Sequence, residues 1–213
     1  MMRNVILTDV DGVLLNWEEA FWQWMVRHGF PVKANGHYDD HGVDIAKSFG
    51  ITQEQVYHYI AIFNESADIG FLPPLRDAIK YVRKLHEEHG YVFHAITSFS
   101  TNSFSYDLRR QNLIDLFGKT AVPRLVALGV RESKRDSLAP YANQGIMFIE
   151  DRIANADLAI SMGIEGVLMD HDYNCHYNGA ATRVTNWKEI HDYIVHGDEP
   201  SFYKNLCGPR KAS

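Results

Sequence analysis

Two aspartates stand one residue apart where the first apolar run of the chain ends. Residues 5–7 form that run, and Asp9 and Asp11 follow it, with Gly12 next. Open α/β sheets place their chemistry beyond the carboxyl ends of the strands, so the pattern predicts two carboxylates on a sheet rim. Nearby carboxylates repel each other, and Mg²⁺ relieves this because it prefers carboxylate, water and phosphate oxygens. A plain polar turn is the alternative, since Asp-Gly pairs are common in turns.

Hydroxyl and ammonium groups follow two later parts of the chain. The apolar run 91–96 ends in Thr97 and Ser98, whose hydroxyls can hydrogen-bond a phosphate oxygen. Lys134 stands just before a short apolar helix and is our candidate for the cation that balances a dianionic phosphate. Each signal is weak alone, because such residues are common in surface turns.

A second acidic pair also follows an apolar run. Residues 146–149 form an apolar run that ends in Glu150 and Asp151. If this run is a neighbouring strand of the same sheet, the pair lies at the same edge as the first one, where it adds metal ligands.

Strand and helix patterns alternate along the chain. This alternation predicts a parallel sheet with right-handed crossovers, an α/β doubly wound fold. The predicted strands are 5–7, 91–96, 124–128, 146–149 and 166–169. The predicted helices between and after them are 75–89, 102–117, about 153–162 and 187–195, and Arg109 and Arg110 on the second of these are expected to be solvated.

A helical segment, residues 16–71, interrupts this alternation after the first strand. Asn16 can cap its first helix, and Thr52 with Gln55 forms a capping box for a later one. Aromatic residues crowd the first helix, and core packing is favoured over ring stacking on a ligand: Trp17, Phe21, Trp22 and Trp24. The loop 31–42 is expected to be solvated rather than metal-binding, although several candidate ligands lie in or near it: His37, Asp39, Asp40, His41 and Asp44.

The composition bounds the function. The 213 residues suffice for one domain with a small insertion, and the tail 198–213 has little pattern. The net charge of -6 argues against duplex nucleic acid and anionic membranes as partners. Cys175 and Cys207 form no metal-type pair, and no signal peptide or membrane-spanning run is seen, so the cytoplasm is predicted. A homodimer is left open.

The ordered set of strand-end residues resembles the haloacid dehalogenase superfamily. Its phosphatases carry Asp-x-Asp-Gly, then a Thr or Ser, a Lys and an acidic pair. The resemblance covers about residues 3–195. It implies a Rossmann-like core (1–15 and 72–197) with a central first strand flanked by the second and fourth, and a small helical cap (16–71) of the C1 type.

The resemblance also implies a chemistry. Asp9 would attack phosphorus and form an aspartyl-phosphate, and Asp11 would serve as general acid and base. Mg²⁺ would be held by the carboxylates of Asp9 and Asp151 and the backbone of Asp11, with Glu150 assisting. Two further residues would bind the phosphoryl oxygens: Thr97 and Lys134, with Ser98 beside them as a substrate ligand. Dehalogenases lack an acid at the position of Asp11, so dehalogenation is set aside.

The substrate is predicted less closely. Residues 170–174 and 183–187 look like the deoxyribonucleotidase branch, whose Pro-Tyr-Asn loop has Asp172 in place of proline here. A small phosphorylated metabolite, such as a (deoxy)nucleoside monophosphate, is therefore expected. The alternatives are a sugar-phosphate phosphatase, a phosphomutase, a nucleic-acid end phosphatase, and a non-catalytic binding protein.

Overall fold

The computed structural model describes residues 4–33, 44–197 and 200. Within them, six strands form one parallel sheet in the order β3-β2-β1-β4-β5-β6, with helices on its faces, which confirms the predicted α/β fold. The strands are β1 (Val5–Thr8), β2 (Val92–Ser98), β3 (Arg124–Leu128), β4 (Met147–Glu150), β5 (Glu165–Met169) and β6 (Thr182–Val184). The helices are α1 (Trp17–Arg27), α2 (Ile45–Phe49), α3 (Gln53–Asn64), α4 (Ala78–Glu87), α5 (Ser103–Phe117), α6 (Arg135–Leu138), α7 (Ile153–Ser161) and α8 (Trp187–His196).

Strand register brings the strand ends together. β1 is central, as expected, and Thr8 lies opposite Ala95 of β2 on one side and Ile149 of β4 on the other. Because all strands are parallel, their carboxyl ends meet at one edge. The residues that follow Thr8, Ala95 and Ile149 are therefore neighbours at that edge.

Side-chain caps fix the starts of several helices. The Asn16 side chain accepts from the Glu19 N–H before α1, and Thr52 and Gln55 form the predicted capping box before α3. Helix α2 was not predicted: Asp44 caps it, and Gly50 ends it with a φ of 65°. Most of the loop 31–42, including His37 and its neighbours, and all of the tail 198–213 except Pro200, lie outside the described residues.

Two local predictions differ from the structure. α4 begins at Ala78 rather than at Leu75, because Arg76 adopts a φ of 45° and donates to the Asp170 carbonyl. A sixth strand, β6, lies where only a lead into the last helix was expected, and it pairs with β5.

The aromatic residues of α1 pack among themselves, on Phe49 of α2 and on Phe63 of α3. Trp17 stacks on Phe21 with ring centroids 4.9 Å apart, and Trp22 lies 4.7 Å from Phe49. Phe21, Trp22 and Trp24 are all buried. Core packing, the favoured interpretation, is confirmed for these rings.

Within the part of the chain that the structure describes, no helix is long and apolar enough to cross a lipid bilayer.

Candidate active site

Asp9 lies at the centre of the sheet edge. Its N–H donates to the Ile149 carbonyl at 2.8 Å, so the residue is fixed between β1 and β4. Its Oδ1 accepts from the N–H of Val10 at 2.6 Å. The carboxylate is buried, and burial, with the nearby Glu150 charge, raises its pKa from 3.8 to about 6 against the opposing effect of Lys134.

Lys134 joins the two acidic pairs. Its Nζ lies 2.8 Å from Asp9 Oδ2 and 2.8 Å from Glu150 Oε2. The side chain is buried, directly before α6. Burial alone would lower the pKa of the ammonium group, but the two carboxylates outweigh it and the pKa is raised. Lys134 is therefore a fixed positive charge between Asp9 and Glu150.

Glu150 shapes the turn after β4. Its Oε1 accepts from the N–H groups of Asp151 at 3.1 Å and Arg152 at 3.0 Å, while Oε2 binds Lys134. Burial raises the pKa of Glu150, and Lys134 opposes that effect. The side chain thus orients Asp151 through its backbone.

Three carboxylates come close enough to share a cation. Oxygens of Asp9, Glu150 and Asp151 all lie within 4.8 Å of one another. Burial raises the pKa of Asp151, and its Oδ1 is buried with no hydrogen-bond partner among the described residues. A buried carboxylate oxygen without a donor is costly, and a divalent cation would satisfy it.

Asp11 pairs with an arginine that was expected to be solvated. Arg109 of α5 is fully buried and forms an ion pair with Asp11 Oδ1, and its second terminal nitrogen lies 3.4 Å from Asp11 Oδ2. Its guanidinium also lies 4.6 Å from the centre of the Phe99 ring. The prediction for Arg109 was wrong because apolar residues occur on all sides of α5. The sequence therefore did not show which of its side chains would be buried.

The loop after β5 holds Asp151 and the turn at Gly12. The Tyr173 hydroxyl donates to Asp151 Oδ2, and Asn174 Nδ2 donates to the Asp151 carbonyl at 2.7 Å. The Nε2 of His171 lies 2.8 Å from the Gly12 carbonyl, and the His171 and Tyr173 rings stack 5.0 Å apart. From the sequence, this loop was linked only to the choice of substrate, and its contact with Asp151 was not predicted.

Gly12 is required by this close packing. Its φ is +75°, and a Cβ there would lie 2.6 Å from Asp151 Oδ2 and 3.2 Å from the Tyr173 hydroxyl. A larger residue would therefore push Asp151 out of place as well as strain the backbone.

Thr97 and Ser98 end β2 with different surroundings. The Thr97 side chain is buried, and its Oγ1 has no hydrogen-bond partner among the described residues. Ser98 is half-buried and, because side chains alternate along a strand, faces the other side of the sheet. Thr97 thus has an unused hydroxyl near the sheet edge, whereas a substrate-binding role for Ser98 stays a prediction.

Comparison with known proteins bears on the fold. No family model matches the chain. An uncharacterized 32.4 kDa protein from the Gp30-rIII intergenic region of Enterobacteria phage T4 is 29% identical over 199 residues, which span 91% of this chain and 70% of that protein.

Solved structures share the architecture at low identity. A haloacid dehalogenase-like family hydrolase from Streptococcus pneumoniae superposes with a TM-score of 0.59 and 14% identity, over 90% of this chain and 98% of that one. The fold is that of the haloacid dehalogenase-like hydrolases. Two further structures share this fold. An L-2-haloacid dehalogenase superposes with a TM-score of 0.54 and 10% identity, over 92% of this chain and 100% of that one. The D,D-heptose 1,7-bisphosphate phosphatase of Burkholderia thailandensis superposes with a TM-score of 0.53 and 8% identity, over 91% of this chain and 99% of that one.

Proposed function

We propose that this protein is a magnesium-dependent phosphomonoester hydrolase that acts through an aspartyl-phosphate intermediate on a small phosphorylated metabolite. The observation that carries this proposal is the position of Lys134, 2.8 Å from both Asp9 and Glu150. Through these two contacts, the buried ammonium group of Lys134 joins the two acidic pairs into one site at the carboxyl end of the sheet.

The charges of the site support a divalent cation. Four acidic side chains lie here, Asp9, Asp11, Glu150 and Asp151, against two buried bases, Lys134 and Arg109. The four acids outnumber the two bases, and a divalent cation offsets the excess negative charge, which is two with all four acids ionised and one with Asp11 protonated, as the first step requires. The residues that would hold it are Asp9 and Asp151 through their carboxylates and Asp11 through its backbone carbonyl, with Glu150 assisting. When bound, Mg²⁺ supplies positive charge that lets an anionic nucleophile meet an anionic ester.

In the first step, an Asp9 carboxylate oxygen attacks phosphorus. The new oxygen–phosphorus bond forms as the ester oxygen leaves, and Asp11 gives that oxygen its proton. Arg109 holds the Asp11 carboxylate in place. Lys134 and Thr97 bind the phosphoryl oxygens while charge builds on them, because a buried donor stabilises that charge strongly.

In the second step, water hydrolyses the aspartyl-phosphate. Asp11, now ionised, takes a proton from the water as the oxygen attacks phosphorus, and the bond to Asp9 breaks. Inorganic phosphate leaves, and both aspartates return to their starting protonation states. The helical segment 16–71 would cover the site during this cycle as a cap and exclude bulk water.

The substrate class follows less directly. A (deoxy)nucleoside monophosphate is proposed from the resemblance of residues 170–174 and 183–187 to the deoxyribonucleotidase branch. Burial of Phe21, Trp22 and Trp24 removes them as stacking platforms for a base. A sugar-phosphate phosphatase or phosphomutase is the second candidate, since the heptose bisphosphate phosphatase shares the fold. The net charge of -6 suits a small substrate better than duplex nucleic acid or a membrane.

The test is phosphate release from a panel of deoxynucleoside and ribonucleoside monophosphates and sugar phosphates. It is run with Mg²⁺ and with chelator, beside Asp9→Asn. We expect release that needs Mg²⁺ and is lost in Asp9→Asn. No release from any compound by folded protein with Mg²⁺ would refute the phosphatase proposal and favour a mutase or a binding role. An assay for phosphoryl transfer between sugar hydroxyls would then distinguish these two, because only a mutase would give a positive result.

A further inference from the structure

Helices α4 and α8 lie side by side and point the same way. The Asp77 carboxylate, at the start of α4, accepts from the N–H groups of Trp187 at 2.9 Å and Lys188 at 3.1 Å, which begin α8. Each helix has 10 residues. Their carboxyl ends therefore lie at the same end of the pair, where the partial negative charges of both helix dipoles favour a cation.

Imidazole and carboxylate groups lie along α8 from its middle, at His191 and Asp192, to its last residue, His196. Potential ligand atoms of His191, Asp192 and His196 all lie within 4.8 Å of one another. The His191 ring centre is 5.7 Å from that of His196 and 5.5 Å from that of His89, which follows α4. Among the described residues, this is the one potential metal-binding group apart from Asp9, Glu150 and Asp151.

His191 is the buried member of the cluster. Its side chain is almost fully buried, and of its two ring nitrogens it is Nδ1 that faces Asp192, not Nε2, which has no hydrogen-bond partner among the described residues. Its Nδ1 lies 2.8 Å from Asp192 Oδ1. Two ligands of a tetrahedral zinc site with bonds near 2.1 Å are about 3.4 Å apart, so a shift of roughly half an ångström would admit an ion between them.

The neighbouring charges leave this position open. Lys188 binds the other oxygen of Asp192, Oδ2, and its side chain is exposed, so Oδ1 stays directed at His191. Tyr81 of α4 packs against the His191 ring at 5.5 Å.

We propose that His191, Asp192 and His196 bind a divalent transition metal ion of the zinc class. Two imidazoles and one carboxylate suit such an ion better than Mg²⁺, which prefers oxygen ligands and retains water. All three ligands lie on α8, so the ion stabilises the second half of that helix. The proposal does not depend on the phosphatase function, because none of the three residues belongs to the candidate active site.

Zinc binding to the full-length protein tests the proposal. Calorimetric titration with Zn²⁺ in excess Mg²⁺ should give one bound equivalent in the natural protein and in Asp151→Asn. In His196→Ala, the affinity should fall at least about tenfold, since even loss of a residue that only orients a metal ligand costs that much. His196 is exposed, so this variant should fold.

Two further variants sharpen the result. Asp192→Asn should weaken binding as His196→Ala does, whereas His58→Ala, an exposed histidine on α3, should not. Zn²⁺ should also raise the Tm of the natural protein, and should raise that of His196→Ala less at the same Zn²⁺ concentration. No zinc binding in excess Mg²⁺, or binding that is lost in Asp151→Asn and retained in His196→Ala, would overturn the proposal.

Discussion

The guanidinium of Arg109 donates to both carboxylate oxygens of Asp11 from a fully buried position on α5. Burial raises the pKa of Asp11, and Arg109 opposes that effect. The pair fixes the orientation of the side chain that we assign as general acid and base. An acid that must protonate one oxygen and then activate a water gains from such a fixed orientation.

Arg109→Gln should lower kcat about 10- to 100-fold with a smaller change in KM, because a part of the general acid–base contribution is lost. Breaking the buried pair should also lower the free energy of unfolding by about 3 kcal/mol. Steady-state kinetics and urea unfolding measure the two effects. Arg110→Gln, one residue along and partly exposed, is the matched control and should behave as the natural protein.

A double-mutant cycle separates positioning from simple loss of stability. If Arg109 acts through Asp11, Arg109→Gln should lower kcat little further in an Asp11→Asn background. Equal losses in both backgrounds would mean that Arg109 does not act through Asp11.

The Tyr173 hydroxyl bonds Asp151 Oδ2, which leaves Oδ1 for a metal ion. Removing such an outer donor weakens metal sites, so Tyr173→Phe should raise the Mg²⁺ concentration for half-maximal activity about tenfold, with kcat at saturating Mg²⁺ nearly unchanged. Direct Mn²⁺ binding by the protein alone gives a second readout.

Tyr177→Phe is the control for that substitution. Its hydroxyl also donates to an aspartate, Asp157, at 2.7 Å, but at the surface. Mg²⁺ affinity should be unchanged there. Tighter Mg²⁺ binding in Tyr173→Phe would show instead that the tyrosine competes with the metal for Asp151.

Much of this architecture could be predicted from the sequence because its cues are local. An apolar run followed by acids marks β1 and β4, and the capping residues Asn16 and Thr52 mark helix starts. In parallel sheets the strand ends share one edge, and the strand order that the family resemblance implies then placed Asp9 near Glu150.

The rest depends on contacts between residues far apart in sequence. Arg109 meets Asp11 across 98 positions, and Tyr173 meets Asp151 across 22. Neither arginine nor tyrosine carries a local pattern that distinguishes a buried partner from a solvated side chain. The three-residue strand β6 was missed because such a short segment has too few residues to show alternation.

Thr97 offers a test in which activity and stability should move apart. Its buried Oγ1 has no hydrogen-bond partner among the described residues, so Thr97→Val removes a desolvated hydroxyl at little cost. The free energy of unfolding should stay the same or rise by up to about 1 kcal/mol, and kcat/KM should fall about 10- to 100-fold because a bond to a charged phosphoryl oxygen is lost.

Thr97→Ser keeps the hydroxyl and is the matched control for activity. Its kcat/KM should stay within a few-fold of the natural protein. If Thr97→Val unfolds more easily and keeps its activity, the hydroxyl serves the fold and the assignment of Thr97 as a phosphate ligand is wrong.

The acidic cluster should make the metal-free protein less stable as pH rises. Burial raises the pKa of Asp9 from 3.8 to about 6, and the pKa values of Glu150 and Asp151 are raised too. The folded state then binds more protons than the unfolded state between these values, so the free energy of unfolding falls as pH rises from about 4 to above 6. Asp9 alone accounts for about 3 kcal/mol of this fall.

Urea unfolding in chelator between pH 4.5 and 7.5 measures this fall. Mg²⁺ should restore stability most at pH 7.5, where the carboxylates are ionised, and least at pH 4.5. Asp9→Asn has no carboxyl group to ionise at that position and should lose the part of the fall that Asp9 contributes. If the metal-free natural protein instead gains stability steadily toward pH 7.5, with the same slope in Asp9→Asn, the carboxylates are not held as a repelling group and the charge argument for Mg²⁺ fails.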